Sequence, residues 1–430
     1  MSDRPLDTGN RERLKELLSE ALELDGDERV EFLAGLRSKH PELATRLAEL
    51  AQAWDRATTM LRVDQTRNTA PPLEFTDQPM QDDALLGKRF GRYRFDAVVG
   101  SGGFGVVYRG RQESPVVREV AIKVARHGVV GGEFLARFEA ERHALARLTH
   151  PAIARLYDAD ALPDGRPFFA MELVEGTTLT AYCDENNLTL EQRIELFRDV
   201  CAAVQHAHQK GVIHRDLKPS NILVGSSDEG PFVKVIDFGI AKAIDEPFLN
   251  ESVVTLAQQI IGTPQYMPPE QASGGRDAVD TRSDVFSLGV VFYELLCGAR
   301  PIADDVFRAT TPAELGRMLS TMPAPRPSAR FVQLEGSRED IAQQRGSDPD
   351  RLPQSLAGEL DWIAARAIEP QPDRRYPSPA AMSDDLKRYL TNVPVEARPP
   401  SRAYLVRKFA RRHRTAVGAA AALALMLTVL

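Results

Sequence analysis

Eight residues constrain this 430-residue chain more than any others: His214-Arg215-Asp216-Leu217-Lys218-Pro219-Ser220-Asn221. They sit between two short apolar runs, Val212-Ile213 and Ile222-Leu223-Val224. That pattern predicts a tight polar loop leading into a buried strand, a setting that suggests chemistry. Asp216 can accept a proton from an attacking hydroxyl, Lys218 can reach a transferring phosphoryl group, and Asn221 can hold a metal ion. The same letters can also form a buried loop that only bonds its own backbone, so the motifs around it decide.

The length allows two or three units with a large core. A hydrophobic content of 43% and a charged content of 27% are those of an ordinary globular protein. A net charge of −7 argues against a nucleic-acid partner. Cys183, Cys201 and Cys297 have no metal-ligand spacing, and three cannot pair completely, so a reducing cytoplasm is expected. The opening residues, Met-Ser-Asp-Arg-Pro, show neither an apolar signal region nor the second-position glycine of myristoylation.

Residues 1–62 carry apolar stripes at helical spacing: Leu14, Leu17, Leu18 and Leu22, then Val30, Leu33 and Leu36, then Leu43, Leu47, Leu50 and Trp54. They predict a small bundle of three helices. A DNA-reading helix-turn-helix would need a basic face, whereas this region holds ten Lys/Arg against thirteen Asp/Glu. Residues 63–92, with Pro71, Pro72 and Pro79, read as a linker.

A strand pattern begins at Tyr93 and runs into Gly100-Ser101-Gly102-Gly103-Phe104-Gly105-Val106-Val107. Glycines at the first, third and sixth places let backbone amides approach phosphates closely. A dinucleotide site would need a helix next, but Val106-Val107-Tyr108 continue as strand, and no Gly-Lys-Ser/Thr ending marks a P-loop. The strand Glu119 to Val124 carries Lys123, which as an isolated residue would point to solvent. A helix over 132–148 follows, with Phe134, Phe138, Leu145 and Leu148 on its apolar side. Glu141 falls on that core-facing side, Glu139 one residue off it, and a carboxylate there needs a partner. Glu141 with Lys123 is the expected pair.

Phe168 to Val174 reads as a buried strand ending at the turn Glu175-Gly176, and Thr189 to Lys210 as a helix entering the polar loop. His206 and His208, two apart, leave that helix on different faces and are expected to be structural. Thirteen residues after Asn221, Lys234-Val235-Ile236 lead to Asp237-Phe238-Gly239. A hairpin would bring Asp237 beside Asn221, an oxygen pair suited to Mg²⁺. An irregular stretch over 240–261 precedes Gly262-Thr263-Pro264-Gln265-Tyr266-Met267-Pro268-Pro269-Glu270. Beyond it come a buried helix over 283–296, a capping box Thr311 to Glu314, a polar insertion over 323–350, a helix over 354–368, the segment Asp373 to Tyr376, and a closing helix over 383–390.

These motifs, in this order over residues 93–391, resemble the protein kinases, and Lys218 with Gly262-Thr263-Pro264 resembles their serine/threonine branch. The bacterial, membrane-anchored relatives share a basic stretch before an apolar segment. The resemblance implies an α+β, bilobal kinase fold, with a small β-rich lobe, a larger helical lobe, and ATP between them. It implies phosphoryl transfer from ATP, with Mg²⁺ or Mn²⁺, to protein Ser/Thr hydroxyls, in which Asp216 orients the hydroxyl and Lys218 offsets γ-phosphate charge. Asn221 and Asp237 then hold the metal, Lys123 and Glu141 fix the α- and β-phosphates, and Gly100 to Gly105 with Val107 cover the nucleotide. Met171 would line the adenine pocket, which the backbones of Glu172 and Val174 would meet. Asp284 would brace the catalytic loop, and Arg375 would pair with Glu270. Pro268 departs from the alanine usual in that segment and removes one backbone donor but no side-chain chemistry.

Arg215 beside the catalytic aspartate suggests regulation by phosphate, and autophosphorylation is expected in residues 245–263 at Ser252, Thr255 or Thr263, implying self-association. Thr263 can instead bond the catalytic loop unmodified. Two other classes remain: a pseudokinase scaffold, which usually lacks one of Lys123, Asp216 or Asp237, and a small-molecule kinase, which usually lacks the Gly-Thr-Pro docking segment. Residues 392–414 are basic, with Arg402, Arg407, Lys408, Arg411, Arg412 and Arg414, and residues 415–430 contain no charge. At about 1.5 Å per residue the fifteen residues from Ala416 reach about 22 Å, short of a hydrocarbon core of about 30 Å. A truncated span, a stretched anchor and a core helix remain as readings. A membrane anchor is expected, with the kinase on the cytoplasmic side.

Overall fold

A computed structural model of the protein describes residues 32, 36, 85–102, 105–125, 145–238, 264–273, 279–310, 312–321, 324–399 and 401–412. The expected bundle of residues 1–62, apart from helical Phe32 and Leu36, lies outside these residues. So do most of the linker, Gly103, Phe104, Glu141, Thr311, Ser252, Thr255, Thr263 and the tail 413–430.

The first lobe is a six-stranded antiparallel sheet in the order β1-β2-β3-β4-β6-β5. Its strands are β1 (Arg89–Phe90), β2 (Tyr93–Gly102), β3 (Gly105–Gln112), β4 (Arg118–Ala125), β5 (Leu156–Ala161) and β6 (Pro167–Glu172). Strand periodicity sorts the side chains into two layers. Val106, Tyr108, Val120, Ile122, Val124, Phe168 and Ala170 enter a core of their own beneath Tyr93 and Phe95. The alternate residues Ala121, Ala125, Phe169 and Met171 join the core of the other lobe. Lys123, two from each of those alanines, shares their face and looks into the space between the lobes.

The second lobe is helical. Beyond a short sheet of β7 (Thr177–Thr178), β8 (Ile222–Ser227) and β9 (Gly230–Val235), α1 (Leu179–Glu185) and α2 (Leu190–Gln209) begin the bundle. Thr189 caps α2 through a reciprocal pair with Gln192. After a short α3 (Pro269–Ala272), the buried α4 (Thr281–Cys297) starts at the Asp280 cap and stops at Gly298, whose φ is 73°. A Cβ at Gly289, midway along α4, would stand 2.7 Å from the Cβ of Ala367, so glycine is what lets the next helix layer close. Cys183, Cys201 and Cys297 are free and buried in this lobe, and burial pushes the Cys183 thiol up to about 11.

Several sequence expectations change here. The polar insertion 323–350 is part of the lobe: it contributes α7 (Pro327–Val332) and α8 (Arg338–Gln344), following α5 (Asp304–Ala309) and α6 (Pro312–Thr321). Arg345 anchors it by donating to the carbonyls of Leu296, Ile341 and Glu294, contacts that a composition reading cannot foresee. The expected helix 354–368 is broken into α9 (Leu352–Leu356) and α10 (Glu359–Ala367) at Gly358, whose φ is 100°. The closing helix is longer, α11 (Pro379–Leu390), because Ser378 caps it and Pro379 is tolerated in its first turn. Nor does the lobe end at residue 391: α12 (Arg402–Arg412) packs onto it, within the stretch read as a basic connector.

Replacing Gly289 with Val should lower the unfolding free energy by about 1–3 kcal/mol through overpacking against Ala367 and Ile368. A reduced urea midpoint is the expected reading, and a midpoint equal to the parent's would contradict this packing.

Candidate active site

The polar loop 214–221 is held from below by one carboxylate. Asp284, fully buried in the first turn of α4, accepts the backbone N–H of His214 at Oδ2 and of Arg215 at Oδ1, both at 2.8 Å. His208 Nε2 meets the same Oδ2 at 2.6 Å. Burial alone would push this carboxyl up, but the His208 bond, the charges of His208 and His214, and the His214 amide hold it below the ordinary carboxylate range. His214 is also tied to the carbonyl of Ile236 at 2.9 Å, and its ring lies 4.6 Å from that of Phe238. The loop is thus fixed to both α4 and the end of β9.

Within the loop Asn221 folds back on Asp216. Its Nδ2 donates to the Asp216 carbonyl at 2.7 Å and to Oδ2 at 3.1 Å, leaving its own Oδ1 as an acceptor. Lys218 Nζ lies 2.8 Å from Asp216 Oδ2. The Ile236 N–H donates to the Asn221 carbonyl at 2.9 Å, which sets Asp237 one residue from Asn221's partner. Asp237 in turn meets Lys123 Nζ at 2.9 Å. Four sequence-selected residues, Lys123, Asp216, Asn221 and Asp237, therefore share one connected cluster at the cleft. Among the described residues no group of three or more His, Cys, Asp or Glu could hold a metal. The Asp237 carboxylate and the Asn221 amide oxygen fit a hard cation that takes few protein ligands and completes its shell with water and phosphate.

The cleft walls follow from strand register. Val107 pairs with Lys123 across β3 and β4, and Ala121 pairs with Met171 across β4 and β6, so Met171 stands against Ala121 behind the cluster. The Glu172 amide donates to the Arg155 carbonyl at 2.8 Å, and its carboxylate takes Lys234 Nζ at 2.7 Å. Gly100, Ser101 and Gly102 pair with Val107, Val106 and Gly105. Gly105 has a φ of 157°, and a Cβ there would stand 2.2 Å from the Val124 carbonyl oxygen, so only glycine fits.

The docking segment is pinned to α4. Ser287 Oγ donates to the Tyr266 carbonyl at 2.8 Å, and the Tyr266 hydroxyl donates to Glu294. Pro268 is the N-cap of α3 with Pro269 at its first position, where a missing N–H breaks no helix bond. Arg375 Nη1 and Nη2 donate to the two Glu270 oxygens at 2.7 and 2.8 Å, a bidentate pair supported by Ser283 Oγ. Arg215 is half-buried, with φ 69°, and among the described residues no carboxylate pairs with its guanidinium.

Two positioning residues escaped the sequence reading. His208, expected to be structural only, stands on the carboxylate that braces the loop, a contact between residues 76 apart in sequence. Lys234 ties the interlobe strand to β9. Alternation along β9 puts Lys234 on the face opposite the buried Val233 and Val235, where it is still partly buried.

The fold and this cluster define a two-lobed scaffold with a polar cluster between a sheet lobe and a helical lobe, and comparison with known proteins assigns the family. Residues 93–339 match the protein kinase domain, and the chain belongs to that family. Serine/threonine-protein kinase PknB of Mycobacterium tuberculosis is 36% identical over 311 residues, covering 71% of this chain and 44% of that protein. Serine/threonine-protein kinase Pkn1 of Myxococcus xanthus is 36% identical over 319 residues, covering 74% and 41%. The chain therefore spans less than half the length of these curated relatives. The crystal structure of a double mutant of the Mycobacterium tuberculosis PknI kinase domain superposes with a TM-score of 0.51 at 25% identity, over 70% of this chain and 97% of that one. The matched family segment ends at residue 339, whereas the packed lobe described above continues to residue 412. No helix among the described residues is long and apolar enough to cross a membrane, and the expected apolar helix 415–430 lies outside them.

A carboxyl held low in the fold and titrating at about 4 when unfolded contributes stability that is complete above about pH 5 and is lost as pH falls through its folded value. Asp284→Asn leaves one buried donor facing an amide, so it should cost about 1–3 kcal/mol at pH 7. The difference from the parent should shrink as pH falls below about 4, read by urea unfolding. A pH-independent difference would contradict the brace.

Proposed function

We propose that this chain is an ATP-dependent serine/threonine protein kinase. The observation that carries the reading is the cluster in which Asp216, Lys218 and Asn221 are held together and Asp237 meets Lys123. In the reaction the acceptor hydroxyl oxygen bonds to the γ-phosphorus, the bond to the β–γ bridging oxygen breaks, and ADP departs. Asp216 orients the hydroxyl and takes its proton; Lys218, already beside it, offsets charge on the transferred group. Lys123 holds the α- and β-phosphates, with Glu141 as its expected second partner once nucleotide draws it from Asp237. Asn221 and Asp237 would hold Mg²⁺, or Mn²⁺ in its place, which when bound neutralises phosphate oxygens. The Glu172 carbonyl and the Val174 backbone would meet adenine, since the Glu172 amide is already engaged. The remaining cleft residues, Gly100 to Gly105, Val107 and Met171, close around the nucleotide.

Regulation is part of the same proposal. Arg215, lacking a described carboxylate partner, is suited to a phosphate on Ser252, Thr255 or Thr263, placed there by a second copy of the chain. The uncharged segment 415–430 would tether the kinase to the cytoplasmic side of a membrane.

Incubation with γ-labelled MgATP should label the protein on Ser or Thr, and Asp216→Asn or Lys123→Met should each reduce label about 100-fold or more. Equal labelling by the Asp216→Asn variant would contradict the assignment. Mass spectrometry of the active parent should find phosphate within residues 245–263; a fully active protein unmodified there would contradict the regulatory part.

A further inference from the structure

Helix α12 presents an unusual division of its side chains. Tyr404 and Lys408, one turn apart, point into the lobe. The Tyr404 hydroxyl accepts the Val395 N–H at 2.9 Å and donates to Glu359 Oε1, while Lys408 Nζ meets Glu359 Oε2 at 2.7 Å. Arg398 stacks on the Tyr404 ring at 4.4 Å. Lys408, a residue that ordinarily seeks water, is only 5% exposed. The opposite face carries Leu405, Val406 and Phe409, which are 43%, 67% and 62% exposed; helical spacing puts Arg402 on the same side and Arg412 at its border, one turn beyond Lys408. Both arginines are exposed. The helix thus turns a cation inward and large apolar groups outward, between exposed arginines.

We infer that this outer face of α12 lies on an anionic lipid surface, seating the helical lobe against the bilayer. Apolar side chains bounded by arginines match the boundary between acyl chains and acidic headgroups. Only His413 and Arg414 separate α12 from the uncharged residues 415–430. The inference shares the membrane reading of that tail but rests on different residues. Because Glu359 lies at the start of α10, the clamp through Tyr404 and Lys408 transmits the seating to the lobe and fixes which side of the kinase faces the membrane.

The test uses the full chain carrying Phe409→Trp, with mixed phosphatidylglycerol and phosphatidylcholine vesicles whose acyl chains bear bromine, a short-range indole quencher. Emission of the parent, from Trp54 and Trp362, is subtracted. The difference emission should fall about twofold at saturation. Arg402→Gln and Arg412→Gln, added singly, should each raise the half-saturating lipid concentration about fivefold. Val406→Trp on the same face gives a second reporter should Phe409→Trp disturb the helix, and Leu405→Ser with Val406→Ser should reduce the quenching while leaving phosphotransfer in solution unchanged. Vesicles that pellet with the chain yet leave both reporters unquenched would overturn the inference and leave the tail's tether standing. Neither pelleting nor quenching would overturn both. Equal quenching by phosphatidylcholine alone would overturn the anionic assignment. A blue shift that grows with protein concentration in the absence of lipid would assign the face to a second copy instead.

Discussion

The polar loop 214–221 depends on the buried carboxylate of Asp284. A loop carrying Arg215, Asp216 and Lys218 cannot bury its polar backbone without partners, and a buried N–H left unpaired would cost about 1–3 kcal/mol. Asp284 supplies two acceptors to successive amides of the loop, and its position is set by the Asp280 cap at the start of α4. The consequence is visible in the backbone. Among the described residues four non-glycine positions have positive φ: Asn187, Asn392 and Asp237, of types that tolerate it, and Arg215, of a type that does so less readily. Arg215 adjoins Asp216, and Asp237 follows Ile236, which is bonded to Asn221. Each persists because surrounding bonds over-determine it, Arg215 through Asp284 and Asp237 through Lys123 and the Asn221–Ile236 link.

The other half of the site is imposed by the strand repeat. Because β4 alternates, Val120, Ile122 and Val124 complete the core of the small lobe, and Lys123 is driven to the opposite face with Ala121 and Ala125. The cleft is then the seam between two packed cores. Besides the apolar packing of Ala121, Ala125, Phe169 and Met171, polar ties cross it: Lys123 to Asp237, Lys234 to Glu172, and the Ala154 N–H to the Val235 carbonyl.

Much of this was legible in the sequence because motif chemistry is local. The loop 214–221, the Asp237 turn and the glycine strand each announce themselves within a few residues, and the family resemblance they carry implied both lobes. Contacts between distant segments were legible only through family resemblance, as with Arg375 and Glu270, or not at all, as with His208 and Asp284. The helix break at Gly358 was hidden because apolar spacing continues through it, while the residue requiring φ of 100° gives no periodic signal. Arg345 hid for the opposite reason: a polar insertion reads as solvated, and its burial becomes explicable only once three carbonyls converge on the guanidinium. The basic segment misled similarly, since Lys408 counts as a surface charge until Glu359 is seen beneath it.

The most direct measurement offers the purified chain and γ-labelled MgATP a mixture of unfolded protein acceptors and, separately, small hydroxyl compounds such as sugars and aminoglycosides. Acid-stable label on serine and threonine of the protein acceptors, with none on the small molecules, is the expected result. Label confined to small molecules, or ATP binding without transfer to any acceptor, would contradict the assignment of this cleft to protein phosphorylation.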